Sequence, residues 1–242
     1  MITLISDVDG TLLGDPAALN ELNEYITEHR DSFHLIYATG RDVTEMNRGI
    51  FTEGLIMPDA AILSTGSEIY TVESGAFLPD VQWESIISAS WDKNKVEEAA
   101  KKVEGLMTQG KSEKLKVSYF IDPSAAEQIR CRFRKLFKEQ GIKAKIIISH
   151  EKYLDIIPEN CDKGKAAEFL IKKLAMSYDS SVVAGDSEND TDLFESFYHG
   201  IVVGNARHGL RLSTQNRDFY MAGTDYAAGV LEGLKYYMQR LK

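Results

Sequence analysis

The chain is poor in cysteine: only Cys131 and Cys161 occur in 242 residues. They do not form a metal-ligand or redox pair at short spacing, and they read as isolated reduced thiols of a cytoplasmic protein. Long apolar runs are also missing. None approaches the ~20 residues needed to span a bilayer. The first apolar stretch runs straight into Asp7, so no signal peptide is read and no membrane association is expected. Positive charge is in deficit, with a net charge of −9 and a pI near 5.1. An acidic surface repels phosphate backbones, which argues against nucleic acid as a partner. His29, His34, His150, His199 and His208 are scattered without ligand spacing and read as non-catalytic. Internal repeats and low-complexity segments are absent.

What remains is an ordinary globular composition, 43% hydrophobic and 27% charged. The length suits one large domain, or a core with a smaller insert. The first half alternates apolar strands with helices. Residues 2–6 read as a continuous apolar strand. Asp15-Pro16 reads as an N-cap with a first-turn proline, and Leu19, Leu22 and Ile26 mark the amphipathic helix behind it. Residues 33–39 and 60–64 read as strands, with a short helix over 42–51 between them. Toward the far end, 181–184 and 200–203 read as strands, with helices from 190 and over 227–241. This alternation predicts an α/β fold, a parallel sheet covered on both faces. The middle differs. A helix over 96–107, an alternating strand over 115–121 and a helix opened by Asp122-Pro123 lead to strands over 144–149 and 153–157. Consecutive strands predict antiparallel pairing. An α+β insert of about 75 residues, drawn at 81–158, is therefore expected within a core of 1–80 and 159–242.

Reactive residues gather at the predicted strand ends, where an open parallel sheet binds its ligands. The pentad Asp7-Val8-Asp9-Gly10-Thr11 follows the first strand. An acidic turn, with Gly10 as turn former and Thr11 as helix cap, is its plain reading. Thr39, Gly40 and Arg41 follow the second strand. Gly185, Asp186, Ser187, Glu188, Asn189 and Asp190 follow 181–184, and Lys163 precedes that strand by a helix read over 165–174. Two acidic clusters with a lysine and a hydroxyl between them predict a metal and phosphate site. Oxygen ligands suit a hard cation such as Mg²⁺. Cation and lysine together can neutralise a phosphoryl group.

Asp7-x-Asp9-x-Thr11, Thr39, Lys163 and Gly185-Asp186-x-x-Asn189-Asp190 resemble, in order, the four motifs of the haloacid dehalogenase-like phosphatases. The insert between the second and third motifs resembles the larger cap of that family's sugar-phosphatase branch. Ala38-Thr39-Gly40-Arg41, Gly66-Ser67-Glu68-Ile69-Tyr70, Lys116-Val117-Ser118-Tyr119 and Gly185-Asp186-Ser187 are similar to segments of bacterial sucrose-6-phosphate phosphatases. The resemblance implies a Rossmann-like core with an α+β cap that closes over a sugar phosphate. It implies a Mg²⁺-dependent phosphatase acting on sucrose 6-phosphate or a related glycosyl phosphate. Asp7 would be the nucleophile, forming an aspartyl-phosphate. As a carboxylate it is ionised at pH 7 without an activating histidine. Asp9 would be general acid and then base, a role that asks for a raised pKa. Asp7, the Asp9 backbone carbonyl and Asp186 would hold Mg²⁺, with Asp190 supporting that shell and orienting Lys163. Thr39 and Lys163 would bind phosphoryl oxygens, helped by amides near Gly40.

The alternatives are a phosphomutase on the same fold and a catalytically silent sugar-phosphate sensor, though no catalytic group is missing. A dehalogenase is disfavoured, since halide departure needs no proton from Asp9. The chain has Gly10-Thr11-Leu12 where sucrose phosphatases tend to carry an Asn-Thr-Trp type continuation, which leaves the sugar open. A monomer is expected.

Other candidates have structural readings beside the functional one. Arg41 could pair with Asp42 or Glu45, but its place after Thr39-Gly40 favours substrate contact. The resemblance assigns Ser67 and Glu68 to sugar binding. Lys116, Ser118, Tyr119 and Asp155 fit either sugar contact or the exposed face of a cap strand. Asn189 fits a substrate contact or loop support. Trp83 and Trp91 read as packing residues. The basic run 93–102, interleaved with Glu97 and Glu98, reads as a solvated helix face.

Overall fold

The apolar run at the start of the chain becomes β1 (Ile2–Ser6), every residue of it buried. A strand covered on both faces has no polar side, which is why this run is continuous rather than alternating. The structure, a computed structural model, describes residues 1–110, 113–149 and 151–241. After β1 come α1 (Pro16–Glu28), β2 (Phe33–Ala38), α2 (Val43–Thr52), β3 (Ala60–Leu63), β4 (Glu68–Glu73) and β5 (Ala76–Pro79). Next are α3 (Val81–Ser88), α4 (Lys93–Ala100), β6 (Met107–Thr108), β7 (Val117–Phe120), α5 (Ala126–Gln140), β8 (Ala144–Ser149) and β9 (Tyr153–Pro158). The last third holds α6 (Lys163–Lys173), β10 (Ser181–Gly185), α7 (Thr191–Ser196), β11 (His199–Val202), α8 (His208–Thr214), β12 (Tyr220–Met221) and α9 (Tyr226–Arg240). The chain divides into two units, Met1–Asp80 with Lys163–Lys242, and Val81–Asp162.

Among the described residues, the first unit carries one sheet of eight strands, ordered β12-β11-β10-β1-β2-β3-β4-β5. The strands from β12 to β3 are parallel, as the alternating pattern predicts. The edge is not: β4 and β5 add an antiparallel hairpin. Strand order reverses at β1, with β2 and β3 to one side and β10 and β11 to the other. Right-handed crossovers then put α1 and α7 on opposite faces. Accordingly α1 packs on α9 and α6 packs on α7. A reversal of this kind opens a crevice at the carboxyl ends of the two central strands. Ser6 lies beside Ala184 in the register, so Asp7 and Asp186 follow adjacent strand ends.

The second unit holds an antiparallel sheet, ordered β6-β7-β9-β8. The predicted pairing of its two consecutive strands is present as β8 with β9. Val96 and Ala99 of α4, Phe133 of α5, and Leu154 and Ile156 of β9 are fully buried in its core. The helix predicted over 96–107 is shifted and shortened to α4. The Asp92 carboxylate accepts from the Lys95 amide and starts the helix early. Gly105, at φ +84°, turns the chain. Met107 and Thr108 then pair with Phe120 and Tyr119 as a strand. Among the described residues, no helix is long and apolar enough to cross a membrane.

Candidate active site

The loop after β1 folds back on itself. The amides of Leu12 and Leu13 donate to the Val8 carbonyl at 2.9 and 3.0 Å. Gly10 has φ +85°, and a Cβ there would lie 2.7 Å from Asp186 Oδ2. Glycine is therefore required both by the backbone and by the close approach of a carboxylate. Asn205 Nδ2 donates to the Gly10 carbonyl at 2.7 Å, while its Oδ1 accepts from the Tyr226 amide at 2.8 Å. Asn205 is a positioning residue that sequence reading missed. It follows β11, so the same rule of strand carboxyl ends points to it.

Lys163, the first residue of α6, has no exposed surface. Its Nζ donates to Asp7 Oδ1 at 2.6 Å and to Asp190 Oδ1 at 2.7 Å. Asp190 Oδ2 accepts from the amides of Asp186 and Ser187, each at 3.1 Å. Thr11 Oγ1 donates to Asp7 Oδ2 at 3.1 Å and lies 3.4 Å from Asp186 Oδ1. The loop 185–190 is thus folded around the Asp190 carboxylate, and α6 delivers the lysine that joins it to Asp7.

Oxygens of Asp7, Asp186 and Asp190 lie within 4.8 Å of one another. Burial, and next the charge of Asp190, push the Asp7 carboxyl well above the ordinary carboxylate range, against the pull of Lys163. The same two causes push Asp186 up to about 7, against Lys163 and Arg207. Burial disfavours the Lys163 charge, but Asp190 and Asp7 outweigh it and hold that lysine above its ordinary value. One lysine does not balance three buried carboxylates. The donor set is all oxygen, Asp186 faces the Gly10 backbone with no Cβ between them, and the cluster has surplus negative charge. These residues fit a hard divalent cation. The sequence reading had Asp7 ionised without an activating histidine; its burial beside Asp190 disfavours that charge, and a cation on the same carboxylate would favour it.

Asp9 stands apart from this cluster, with half of its side chain exposed. Arg41 Nε donates to Asp9 Oδ2 at 2.8 Å and Nη2 to Oδ1 at 2.7 Å. Arg41 Nη1 pairs with Glu53 Oε2 at 2.7 Å. The Asp42 carboxylate, one partner considered from sequence, instead caps α2 in a capping box with Glu45. Thr39 is buried behind β2; its Oγ1 accepts from the Arg41 amide at 3.2 Å. Gly40 follows it, next to Thr65.

The remaining predicted residues each have local partners of their own. Ser67 donates to the Ser64 carbonyl at 2.9 Å inside its own turn. Glu68 opens β4 and accepts from the Tyr70 hydroxyl. Asn189 Oδ1 accepts from Ser187 Oγ at 2.7 Å. In the second unit, Ser118 Oγ donates to Asp155 Oδ1 at 2.6 Å, and Lys116 lies 3.3 Å from Glu113 and 4.0 Å from Asp155. Tyr119 is on the same strand, half-buried. Trp83 is buried, and Trp91 packs on the core of the second unit. His29 bonds the Tyr25 carbonyl, and the His199 ring lies tilted against Tyr237 with centroids 5.3 Å apart. His150 lies outside the described residues.

A parallel sheet that reverses at β1, with carboxylates from two adjacent strand ends joined by a buried lysine, defines a haloacid dehalogenase-like protein. More narrowly, the chain belongs to the sucrose-6F-phosphate phosphohydrolase family, whose model matches residues 1–238. Sucrose-phosphatase 2 of Nicotiana tabacum is 30% identical over 96% of this chain and 58% of its own length. The chain thus spans little more than half the length of that relative. Mannosylfructose-phosphate phosphatase of Agrobacterium fabrum is 27% identical over 97% of this chain and 96% of its own. The structure of the Synechocystis sucrose-phosphatase, solved with sucrose and phosphate, superposes with a TM-score of 0.90 at 33% identity, covering 98% of each chain.

Proposed function

We propose that the protein is a phosphoric monoester hydrolase that cleaves a sugar phosphate, with sucrose 6-phosphate or a related glycosyl phosphate as substrate. The buried Asp7–Lys163–Asp190 network beside Asp186 carries this reading. Family membership supports the substrate class.

Asp7 attacks phosphorus, the bond from phosphorus to the sugar oxygen breaks, and the leaving oxygen takes the proton of Asp9. Asp9 then takes a proton from water as the water oxygen attacks the phosphorus of phospho-Asp7; the bond from phosphorus to the Asp7 oxygen breaks, which returns the Asp7 carboxylate and releases phosphate. Lys163 holds Asp7 in place and balances phosphoryl charge, with Thr39 and the amides after it as further donors. Asp7, Asp186 and the Asp9 carbonyl would hold Mg²⁺, with Asp190 behind them; the ion supplies charge neutralisation of the phosphoryl oxygens. The second unit would act as the cap, with Lys116, Tyr119 and Asp155 as sugar contacts and Ser67, Glu68 and Asn189 as contacts from the core. Arg41 acts through Asp9.

The test is phosphate release from a panel of sucrose, glucose, fructose and mannosyl phosphates, with and without Mg²⁺. Sugar phosphate turnover that ends in an isomerised sugar phosphate rather than free phosphate would assign a mutase instead.

A further inference from the structure

Arg41 links two carboxylates of unlike standing. Its Nε and Nη2 hold both oxygens of Asp9, and its Nη1 holds Glu53 Oε2. Glu53 ends α2, where its own amide donates to the Gly49 carbonyl. The Arg41 side chain is 12% exposed, against 50% for Asp9. A Cβ on Gly49 would fall 2.9 Å from Arg41 Nη1, so the guanidinium lies against the last turn of α2 in space that only glycine leaves open. The second oxygen of Glu53 faces Arg48 at 3.2 Å.

We infer that Glu53 is a positioning residue for the proton-transfer step, acting on Asp9 through Arg41. A guanidinium is a rigid planar fork. Fixing its third nitrogen fixes the plane in which the other two present themselves to Asp9. Asp9 is half exposed; ionised, it is held by both nitrogens of the fork, and when it carries its proton one oxygen stays on Arg41 while the other presents the proton, so the fork sets its orientation in both states. Glu53 pairs with Arg41 and Arg48 and reaches Asp9 only through the arginine. It sets the aim of the acid from the far side of the arginine. The inference rests on the reading of Asp9 as the acid that protonates the leaving sugar oxygen.

The experiment separates leaving groups. A sugar alkoxide needs a proton as it leaves; 4-nitrophenolate does not. The constant kcat/KM reports the first, phosphorylating step alone, so later use of Asp9 as a base does not enter. For Glu53→Gln, kcat/KM for fructose 6-phosphate should fall about tenfold, the scale of a misaimed catalytic group. For 4-nitrophenyl phosphate it should stay within about twofold. Gly49→Ala, which presses on the Arg41 nitrogen that Glu53 holds, should show the same split. An equal fall on both substrates in both variants, or no fall on either, overturns the role of Glu53. Asp9→Asn is the control: if it shows no split, the acid role of Asp9 is what fails.

Discussion

Replacing Lys163 with methionine should destabilise the metal-free protein by an amount that grows with pH. The side chain has no exposed surface, and its ammonium stands 2.6 and 2.7 Å from two buried carboxylates. Methionine fills similar volume without the charge. The stranded carboxyl escapes by taking a proton, at ~1.4 kcal/mol for each unit between its ordinary value near 3.9 and the solution pH. That sets a ceiling of about 4 kcal/mol at pH 7 and about 2 kcal/mol at pH 5.5, because the Asp7 carboxyl already stands above its ordinary value with the lysine in place; the ceiling falls within the ~3–5 kcal/mol lost when a buried pair is broken. The sign follows from linkage. Lys163→Met removes the pull that opposes burial at Asp7, so a folded-state carboxyl pKa already above its unfolded value rises further. The protonated form is the one that folds without cost, so stability is lost as pH rises from about 4 through the raised value. Urea unfolding of wild type and Lys163→Met in chelator at pH 5.5, 6.5 and 7.5 reads the difference. A gap that is constant across this range, or below about 1 kcal/mol at pH 7.5, refutes the reasoning.

The same charge surplus governs the perturbations of the carboxylates themselves. Asp7→Asn should abolish sugar phosphate turnover yet raise the urea midpoint of the metal-free protein, because it removes one of three crowded carboxylates; retained turnover would eliminate Asp7 as the nucleophile. The Mg²⁺ concentration for half-maximal turnover should rise as pH falls below about 7, since a proton then competes for Asp186, by up to ~10-fold per unit. A value flat from pH 8 to 6 would contradict a metal on that carboxylate. Gly10→Ala should raise the Mg²⁺ requirement and lower stability by ~1–3 kcal/mol, as it strains the backbone and drives a methyl against Asp186. Phe133→Ala should cost ~3–5 kcal/mol in the unfolding of the second unit, where that ring is fully buried.

What could be read from sequence follows how much each element buries. β1, β3 and β10 are buried at every position, and each shows as an unbroken apolar run. β4 buries only Ile69, and β5 buries none of its residues. β12 is a two-residue edge. Such edges are half solvated, so their pattern is too weak to stand out from a loop, and the antiparallel hairpin passed unread. α4 was drawn late because composition ranks residues for helix but does not place the end. The Asp92 cap and the turn at Gly105 decide the ends, and both are single residues.

The site divides in a similar way, but along a different line. Asp7, Lys163, Asp186 and Asp190 were legible because buried charge is improbable unless something uses it, and each sits where a parallel sheet places its ligands. The structure adds that three buried carboxylates crowd around one buried lysine, which disfavours charge on Asp7 and Asp186 and suits the site to a cation. Asp9 is the opposite case. It lies two residues from Asp7 in sequence, yet it is half exposed and turned toward Arg41 rather than into the cluster. Spacing alone paired the two aspartates. Burial separates them into a carboxylate that must stay charged against its surroundings and one that an arginine holds at the rim. The two proposed roles call for opposite charge states in the same step, and the buried cluster disfavours charge on Asp7, so a cation beside Asp7 is what a nucleophile there needs before it can attack.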